Sequence, residues 1–462
     1  MALQTQSVPH STSRRFHRVG NWLPGDHNII RDWLDKRIKE VEQKKNQPAA
    51  FKYDDTITEF QNLIEGDPVL RMLASLMFDE VPTKPPYDKD PIGTKQIRSY
   101  HEMLDLFNLI LRRAPTWNND GYHVGLVGFP FNAILDWPMA TTNGYAFFLN
   151  KDVNKQLKKI LDVWTAFLQS PASTYVLEKD EQAWFGDDAL KVLADDGSVG
   201  DQAYTFEELY QCQPDQEHHG FESWDAFFIR EFKRGLRPIA YENAKNPLGV
   251  DPSSVIINAC ESKPYALQSN IQKHDSFWLK GQPYSIRDVL AYDAKNTEAD
   301  NYEGGTLYQA FLSPTTYHRW HSPVTGTIVK TRIIEGTYYS EPVMTGFQNP
   351  DGPDPAAPDR AQGYITALAA RAIVYIKAEG KAGLVAFVAV GMAEVSSCEI
   401  LKNEGDTVKK GDQIGTFHHG GSTHCLIFQK GVELAWVQKA IPNNAQKQKN
   451  LPVNSALAFV LN

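Results

Sequence analysis

The hydrophobic pattern of the chain changes period near residue 220. Before that point, apolar residues recur at helical spacing, as in the segment 157–168. After it come short apolar runs of strand length, rich in β-branched residues, such as 326–334 and 384–390. The sequence therefore predicts an α+β protein, with a helical N-terminal domain at 29–220 followed by a mainly β domain at 221–462.

Composition and the first residues narrow the class of protein. Residues 1–28 lack helical periodicity, so we predict a disordered tail, although the arginines among the first ~20 residues weakly resemble a transit peptide. The net charge of -9 argues against nucleic acid as a partner. Four scattered cysteines without a CxxC pair fit a reducing compartment. No apolar run reaches the ~18 residues that a membrane span needs. We expect a cytoplasmic protein that acts on small molecules.

The run 418–423, with the sequence HHGGST, is the strongest candidate for chemistry. Its two glycines allow unusual backbone dihedrals, so the hydroxyl of Ser422 can reach the carbonyl of Gly421 if a base accepts the proton. Apolar strand-like segments on both sides indicate a turn held in a packed scaffold, where strain can serve function. Taken alone, however, such a run is more often a flexible turn.

Attack by Ser422 on its own preceding carbonyl would convert the amide into an ester. Elimination would then split the chain between Gly421 and Ser422 and leave, after loss of ammonia, an N-terminal pyruvoyl group on the downstream fragment. Such a ketone can form a Schiff base with an amino acid and accept the electron pair released with CO2. The predicted cofactor is therefore a covalent pyruvoyl group derived from Ser422, with no separate cofactor.

Two histidines of the motif YHRWHSP, His318 and His321, are candidate bases, because imidazole exchanges protons near neutral pH. On a straight strand, residues three apart face opposite sides, so both can line one site only if the chain bends. The alternative is that they are ordinary core or surface histidines.

A metal site is the competing interpretation of the histidine-rich run. His418, His419, His424 and Cys425 all offer ligand atoms. Their spacing fits no familiar zinc motif, and the run contains no carboxylate. We therefore predict no metal and interpret Cys425 as a small packed apolar residue.

Five motifs follow one another through 221–461. They are FFIREFK at 227–233 with Arg-Pro at 237–238, KGQPYS at 280–285, the histidine motif at 317–323, VGM at 390–392 and GGST at 420–423. Together they resemble the pyruvoyl-dependent phosphatidylserine decarboxylases. The resemblance implies cleavage between Gly421 and Ser422 into a large β chain and a small pyruvoyl-bearing α chain that remain associated. It also implies that His321 is the base for self-processing and that His318 acts in decarboxylation.

The resemblance assigns a third catalytic role to Glu261. In the family, an aspartate of an Ala-Asp-Gly motif orients the processing histidine, and the corresponding stretch here is ACES at 259–262. Glutamate thus replaces aspartate, and its longer side chain must reach the histidine by a different path. The alternative is a solvated glutamate at the end of a strand.

The ACES variant and the long helical N-terminal half resemble the fungal branch of the family that includes the psilocybin-pathway tryptophan decarboxylase. This resemblance implies that the substrate is a free L-amino acid that is aromatic and similar to tryptophan. The resemblance is also compatible with a homo-oligomer. The first alternative is a phosphatidylserine decarboxylase of phospholipid biosynthesis. The second is a non-catalytic carrier module, because 404–414 is similar to biotinyl and lipoyl domains, but 395–399 offers no lysine for modification.

Overall fold

The protein is represented by a computed structural model. It describes residues 27–46, 51–83, 97–117, 130–180, 183–200, 202–242, 249–274, 285–293, 297–343, 345–348, 361–394, 397–442 and 449–461. Residues 1–26 of the expected tail lie outside this part of the chain, and so does the KGQPYS motif apart from Ser285.

Helices predominate among the described residues before 220, as predicted. They are α1 (His27–Lys45), α2 (Asp55–Gly66), α3 (Pro68–Asp79), α4 (Tyr100–Ile110), α5 (Pro130–Met139), α6 (Thr142–Leu149), α7 (Lys151–Leu168), α8 (Asp187–Gly197) and α9 (Phe206–Leu209). Local sequence explains several of their starts. The side chains of Asp54, Asp67 and Asn150 accept hydrogen bonds from the first free amides of α2, α3 and α7. Among these helices, none is both long and apolar enough to cross a membrane.

The rest of the described chain is mainly β, with three short α-helices and three 3-10 helices. The elements are α10 (Trp224–Phe228), β1 (Val255–Ile257), β2 (Lys263–Ser269), α11 (Ile286–Val289), β3 (Thr306–Leu312), β4 (Arg319–His321), β5 (Gly326–Ile334), α12 (Gln362–Leu368), β6 (Arg371–Ala378), β7 (Leu384–Gly391), β8 (Ser397–Ile400), β9 (Thr407–Val408), β10 (Gln413–His418), β11 (Ser422–Phe428), β12 (Leu434–Trp436) and β13 (Ala456–Val460). The predicted α+β class is confirmed.

The strands form antiparallel sheets. The largest described sheet has the order β2-β3-β11-β7-β6-β5-β9, and two smaller ones have the orders β4-β10-β8 and β1-β13-β12. Side chains alternate along β11 because strand residues point to opposite faces. Leu426 and Phe428 join an apolar cluster shared with Trp320 and Phe417 of the β4-β10-β8 sheet. Cys425 and Ile427 join a second cluster on the other face, which contains Val289 of α11 among others.

The helical N-terminal region packs against one end of the large sheet. Ser422, at the start of β11, is opposite Leu312 at the end of β3 and Gly391 at the end of β7. Residues at or just beyond these strand ends, including Phe311 and Met392, belong to the same apolar cluster as the cores of α2 to α9. The helices therefore cover the end of the sheet at which Ser422 lies, and one core contains residues from both sides of the predicted boundary at 220.

Candidate active site

Ser422 lies inside the protein at the first position of a central strand. Its side chain has no exposed surface. Its hydroxyl oxygen has no hydrogen-bond partner in the part of the chain that the structure describes. A buried hydroxyl without a partner costs about 1–3 kcal/mol. A buried polar group without a partner calls for an explanation, and a role of the hydroxyl in a reaction is one such explanation.

The chain bends sharply just before Ser422, as the two glycines predict. Residues 419–421 connect β10 in one sheet to β11 in another. His419 has a φ of +65° and Gly420 a φ of +96°, both in the left-handed region. Glycine adopts this region readily, whereas a histidine does so only when its surroundings hold it there. The interactions of the His419 side chain therefore matter for the geometry of the bend.

Asp225 of α10 holds the two histidines that precede the bend. Its Oδ1 lies 2.8 Å from Nδ1 of His418 and 3.0 Å from Nε2 of His419. Burial opposes ionisation of Asp225, but its interactions with His418 and then His419 outweigh burial and hold the pKa of the carboxyl well below its usual range. Burial also disfavours the charged form of His418, yet Asp225 and Glu399 raise the pKa of that ring. Asp225 and His418 thus form a buried ion pair directly upstream of the bend.

His419 differs from its neighbour His418, because burial lowers its pKa despite Asp225. Its ring lies among aromatic side chains, with centroid distances of 5.8 Å to Trp164, 5.7 Å to Trp224 and 6.0 Å to Phe228. Trp164 belongs to α7, so the helical region contacts the bend directly. The aromatic rings and Asp225 together hold His419 in its unusual backbone conformation.

The four potential ligands of the competing metal interpretation do not all lie together. His424 is fully buried beside Tyr308 and Phe387, and burial lowers its pKa to about 3. Cys425 points to the opposite face of the sheet. Asp225, His418 and His419 instead bring three potential ligand atoms within 4.8 Å of one another. Asp225 forms a hydrogen bond with His418, whereas its contact with Nε2 of His419 is close but lacks hydrogen-bond geometry.

His318 lies beside the bend. It is fully buried and stacks on Phe228, with ring centroids 4.0 Å apart. Burial, together with the charge of Arg230, lowers its pKa well below the usual value, while the backbones of Thr316 and Gly420 act in the opposite direction. Neither ring nitrogen has a hydrogen-bond partner of normal geometry among the described residues. His318 is thus a neutral imidazole with an available lone pair near residue 420.

His321 is oriented differently. Trp320 is buried between the sheets, whereas Arg319 and His321 on either side of it are partly exposed, as strand alternation requires. Nδ1 of His321 donates to the Gly411 carbonyl at 2.7 Å, so Nε2 accepts the hydroxyl hydrogen of Tyr317 at 2.8 Å. Burial lowers the pKa of the ring. Both nitrogens are therefore occupied, and neither is bonded to the bend.

Glu261 is paired with a cation and not with the histidine. Its carboxylate accepts two hydrogen bonds from Arg237, at 2.9 and 2.7 Å, and one from the amide of Val453 at 2.8 Å. The direct contact with His321 that we expected is absent, because Tyr317 and Gly411 occupy both nitrogens of that ring. Glu261 is 2% exposed, so the alternative of a solvated glutamate is wrong as well.

Sequence reasoning missed Asp225 and the aromatic side chains around His419. Asp225 follows the N-cap Ser223 and looks like an ordinary acidic residue in the first turn of a helix. Its partner His418 is 193 positions away, and nothing local marks the pair. Trp164 fits the apolar face of α7, which is sufficient reason for its presence.

Comparison with known proteins identifies the relatives of this chain. Two family models, both described as phosphatidylserine decarboxylase, match residues 54–193 and 224–450. Decarboxylase iboD of Amanita muscaria is 40% identical over 342 residues, covering 72% of this chain and 91% of that protein. L-tryptophan decarboxylase of Psilocybe cubensis is 32% identical over 438 residues, covering 93% and 92%. Phosphatidylserine decarboxylase proenzyme 3 of Schizosaccharomyces pombe is 30% identical over 228 residues, covering 49% and 21%.

The ion pair of Asp225 and His418 predicts a pH-dependent stability. We expect Asp225→Asn to lower the free energy of unfolding by roughly 3–5 kcal/mol, because it leaves the buried His418 without its counter-charge. The raised pKa of His418 means that its contribution is complete below about pH 6.5 and is lost as the pH rises through the raised value. The lowered pKa of Asp225 means that its contribution is present above about pH 4 and is lost at lower pH.

Urea denaturation from pH 4 to pH 9 measures this effect. The difference between wild type and Asp225→Asn should be largest between about pH 4 and pH 6.5 and should decrease above that range. The control is Glu399→Gln, since Glu399 contacts the other nitrogen of His418 but its side chain is 53% exposed. This exposed contact should contribute at most about 1 kcal/mol. Equal losses in both variants, or a difference independent of pH, would contradict the assignment.

Proposed function

Because the chain belongs to the phosphatidylserine decarboxylase family and is therefore a carboxy-lyase, we propose that it decarboxylates a free aromatic L-amino acid resembling tryptophan. The extent of similarity supports this substrate class. The L-tryptophan decarboxylases of Psilocybe cubensis and Psilocybe cyanescens match 93% and 92% of this chain. Four phosphatidylserine decarboxylase proenzymes, from Schizosaccharomyces pombe, Oryza sativa, Fusobacterium nucleatum and Bacillus cereus, match 46–49% of it.

The observation that carries the proposal is the buried Ser422 hydroxyl without a partner, placed after a left-handed bend. These features fit the formation of a pyruvoyl group from Ser422. The hydroxyl would attack the Gly421 carbonyl, and a histidine would accept its proton. Once formed, the keto group supplies an electrophile for the substrate amine and accepts the electron pair released with CO2.

For the two histidines we propose the roles that the family resemblance implies. His321 takes the proton of Ser422 during self-processing, which requires its Nε2 to exchange the hydroxyl of Tyr317 for that of Ser422. His318, which is neutral, would take a proton from the substrate ammonium group and return it to the substrate carbon after CO2 has left. Its free nitrogens and its position near Gly420 are suited to that role. Glu261 would act indirectly, because its bonds to Arg237 and to the amide of Val453 join three segments of the chain.

The two fragments would remain associated after cleavage. β11 begins at Ser422, and its seven residues pair with β3 on one side, while six of them pair with β7 on the other. The small fragment would therefore hold a central position in the large sheet, with all seven residues of β11 buried. Separation would break both ladders and expose the apolar face on each side.

Removing the hydroxyl of Ser422 tests self-processing. We expect Ser422→Ala to remain a single chain and to release no CO2, because no nucleophile is left at the scissile bond. Mass spectrometry under denaturing conditions should show wild type as two fragments, with the smaller one covering 422–462 and blocked to Edman degradation. Ser322→Ala is the control, since Ser322 is also a buried serine but donates to the Val324 carbonyl. An active wild-type protein consisting of one intact chain would disprove the pyruvoyl proposal.

The substrate class is tested by a panel. Purified wild type is incubated with tryptophan, tyrosine, phenylalanine and vesicles containing phosphatidylserine, and released CO2 is measured. We expect CO2 from tryptophan and none from the vesicles. The opposite result would establish the second candidate, a phosphatidylserine decarboxylase, which the description of both matching family models favours.

Single substitutions separate the roles of the two histidines. We expect His318→Ala to permit cleavage but to lower kcat by about 100-fold or more, since a positioned acid-base group contributes 10²–10⁴-fold. His321→Ala should block cleavage. Exposed His101 on α4 provides the control substitution. If His318→Ala blocks cleavage while His321→Ala permits it, the roles are reversed, and the position of His318 beside the bend would account for that.

A further inference from the structure

The side chains of His418 and His419 lie on the same side of the chain, although the two residues are consecutive. Oδ1 of Asp225 is 2.8 Å from Nδ1 of His418 and 3.0 Å from Nε2 of His419, and the centroids of the two rings are 5.8 Å apart. Consecutive side chains of an extended strand point to opposite faces. β10 ends at His418, and His419 follows with a φ of +65°. Contact of one carboxylate with both rings is therefore compatible with the bend and not with a continued strand.

The two residues of the bend differ in what their backbone needs. Gly420 adopts its φ of +96° without steric cost, because it has no Cβ. His419 has a Cβ, which the left-handed region brings too close to the backbone. Contacts of the His419 side chain must therefore offset this cost. One residue, Gly421, separates the bend from Ser422, so a different backbone conformation at His419 would move the Gly421 carbonyl away from the hydroxyl that attacks it.

The carboxylate that contacts both rings is itself held firmly. Asp225 is 5% exposed and lies in the short helix α10. The side chain of Ser223 accepts a hydrogen bond from the amide of Ala226 and so caps this helix. The amide of Trp224 donates to the buried hydroxyl of Ser173 at 2.9 Å. Bonds on both sides of Asp225 thus fix α10, and the carboxylate is a rigid point against which the two histidines are placed.

We propose that Asp225 is a positioning residue for self-processing. It keeps His418 and His419 on one side of the chain, and this stabilises the left-handed backbone of His419 that presents the Gly421 carbonyl to the hydroxyl of Ser422. Asp225 does not touch the reacting atoms in this role. The inference deepens the proposed function and rests on it, since it concerns the rate at which the chain cleaves itself.

Two substitutions of His419 test whether its left-handed backbone has to be held. His419→Ala and His419→Gly both remove the ring and its contacts, and they differ by a single methyl group. Only glycine adopts the left-handed region without steric cost. We expect His419→Gly to cleave itself roughly 5- to 30-fold faster than His419→Ala, which is the rate equivalent of that cost. The protein is made by cell-free synthesis, and intact chain and fragments are measured on denaturing gels over time.

Removing the carboxylate in two backgrounds tests Asp225 itself. Asp225→Ala should slow cleavage by at least about fivefold when residue 419 is histidine, because the left-handed conformation loses its support. In the His419→Gly background the same substitution should slow cleavage by less than about twofold, since glycine needs no support. Asp187→Ala is the control, because Asp187 is also in the first turn of a helix but is exposed, and it should cleave at the wild-type rate.

A purely structural role of Asp225 predicts a different pattern. Equal slowing by Asp225→Ala in both backgrounds, or equal cleavage rates of His419→Ala and His419→Gly, would overturn the proposal. The comparison at position 419 keeps Asp225 intact, so it decides the question even if Asp225→Ala does not fold. Failure of the proposed function is distinguishable, because wild type itself would then remain a single chain.

Discussion

The hydrogen-bond ladder that holds β11 between β3 and β7 determines the position of Ser422. It places Ser422 opposite Leu312 and Gly391, at the end of the sheet that the helices cover. The residues upstream leave the ladder through a left-handed bend and enter a different sheet. A central strand with partners on both sides cannot shift its register without turning every side chain to the opposite face. The hydroxyl of Ser422 is therefore fixed in position, and other elements pack around it.

The helical region is part of that environment. Trp164 of α7 contacts His419, and Phe131 of α5 contacts Trp164. The start of α5 binds Glu394, which follows β7. These contacts close the end of the sheet with aromatic side chains and leave little exposed surface near Ser422. Exclusion of water strengthens electrostatic interactions within a site, and here it accounts for the lowered pKa of His318.

The candidate site could be predicted from sequence only where its parts are local. The glycine pair and Ser422 are neighbours, and the bend follows from the freedom of glycine. Strand alternation predicts that the rings of His318 and His321 point in different directions. It does not predict which of the two rings faces the bend. The contact of Glu261 with His321 was inferred by resemblance. Arg237 takes that carboxylate, since a buried carboxylate requires a cation.

The sequence by itself determined the α+β class, the change from helices to strands near 220, and the bend just before Ser422. The hydrophobic period of a segment and the residues that favour a turn depend only on neighbouring residues. They therefore do not depend on where the segment lies in the fold. Only the tertiary structure decided that Asp225 binds His418, that His318 lies at the bend, and that the amide of Asn132 binds Glu394. These pairs join segments far apart in the chain. Inside the protein each buried polar group needs a hydrogen-bond partner, and the packing of the elements decides which residue is close enough to be that partner. No local sequence pattern encodes this.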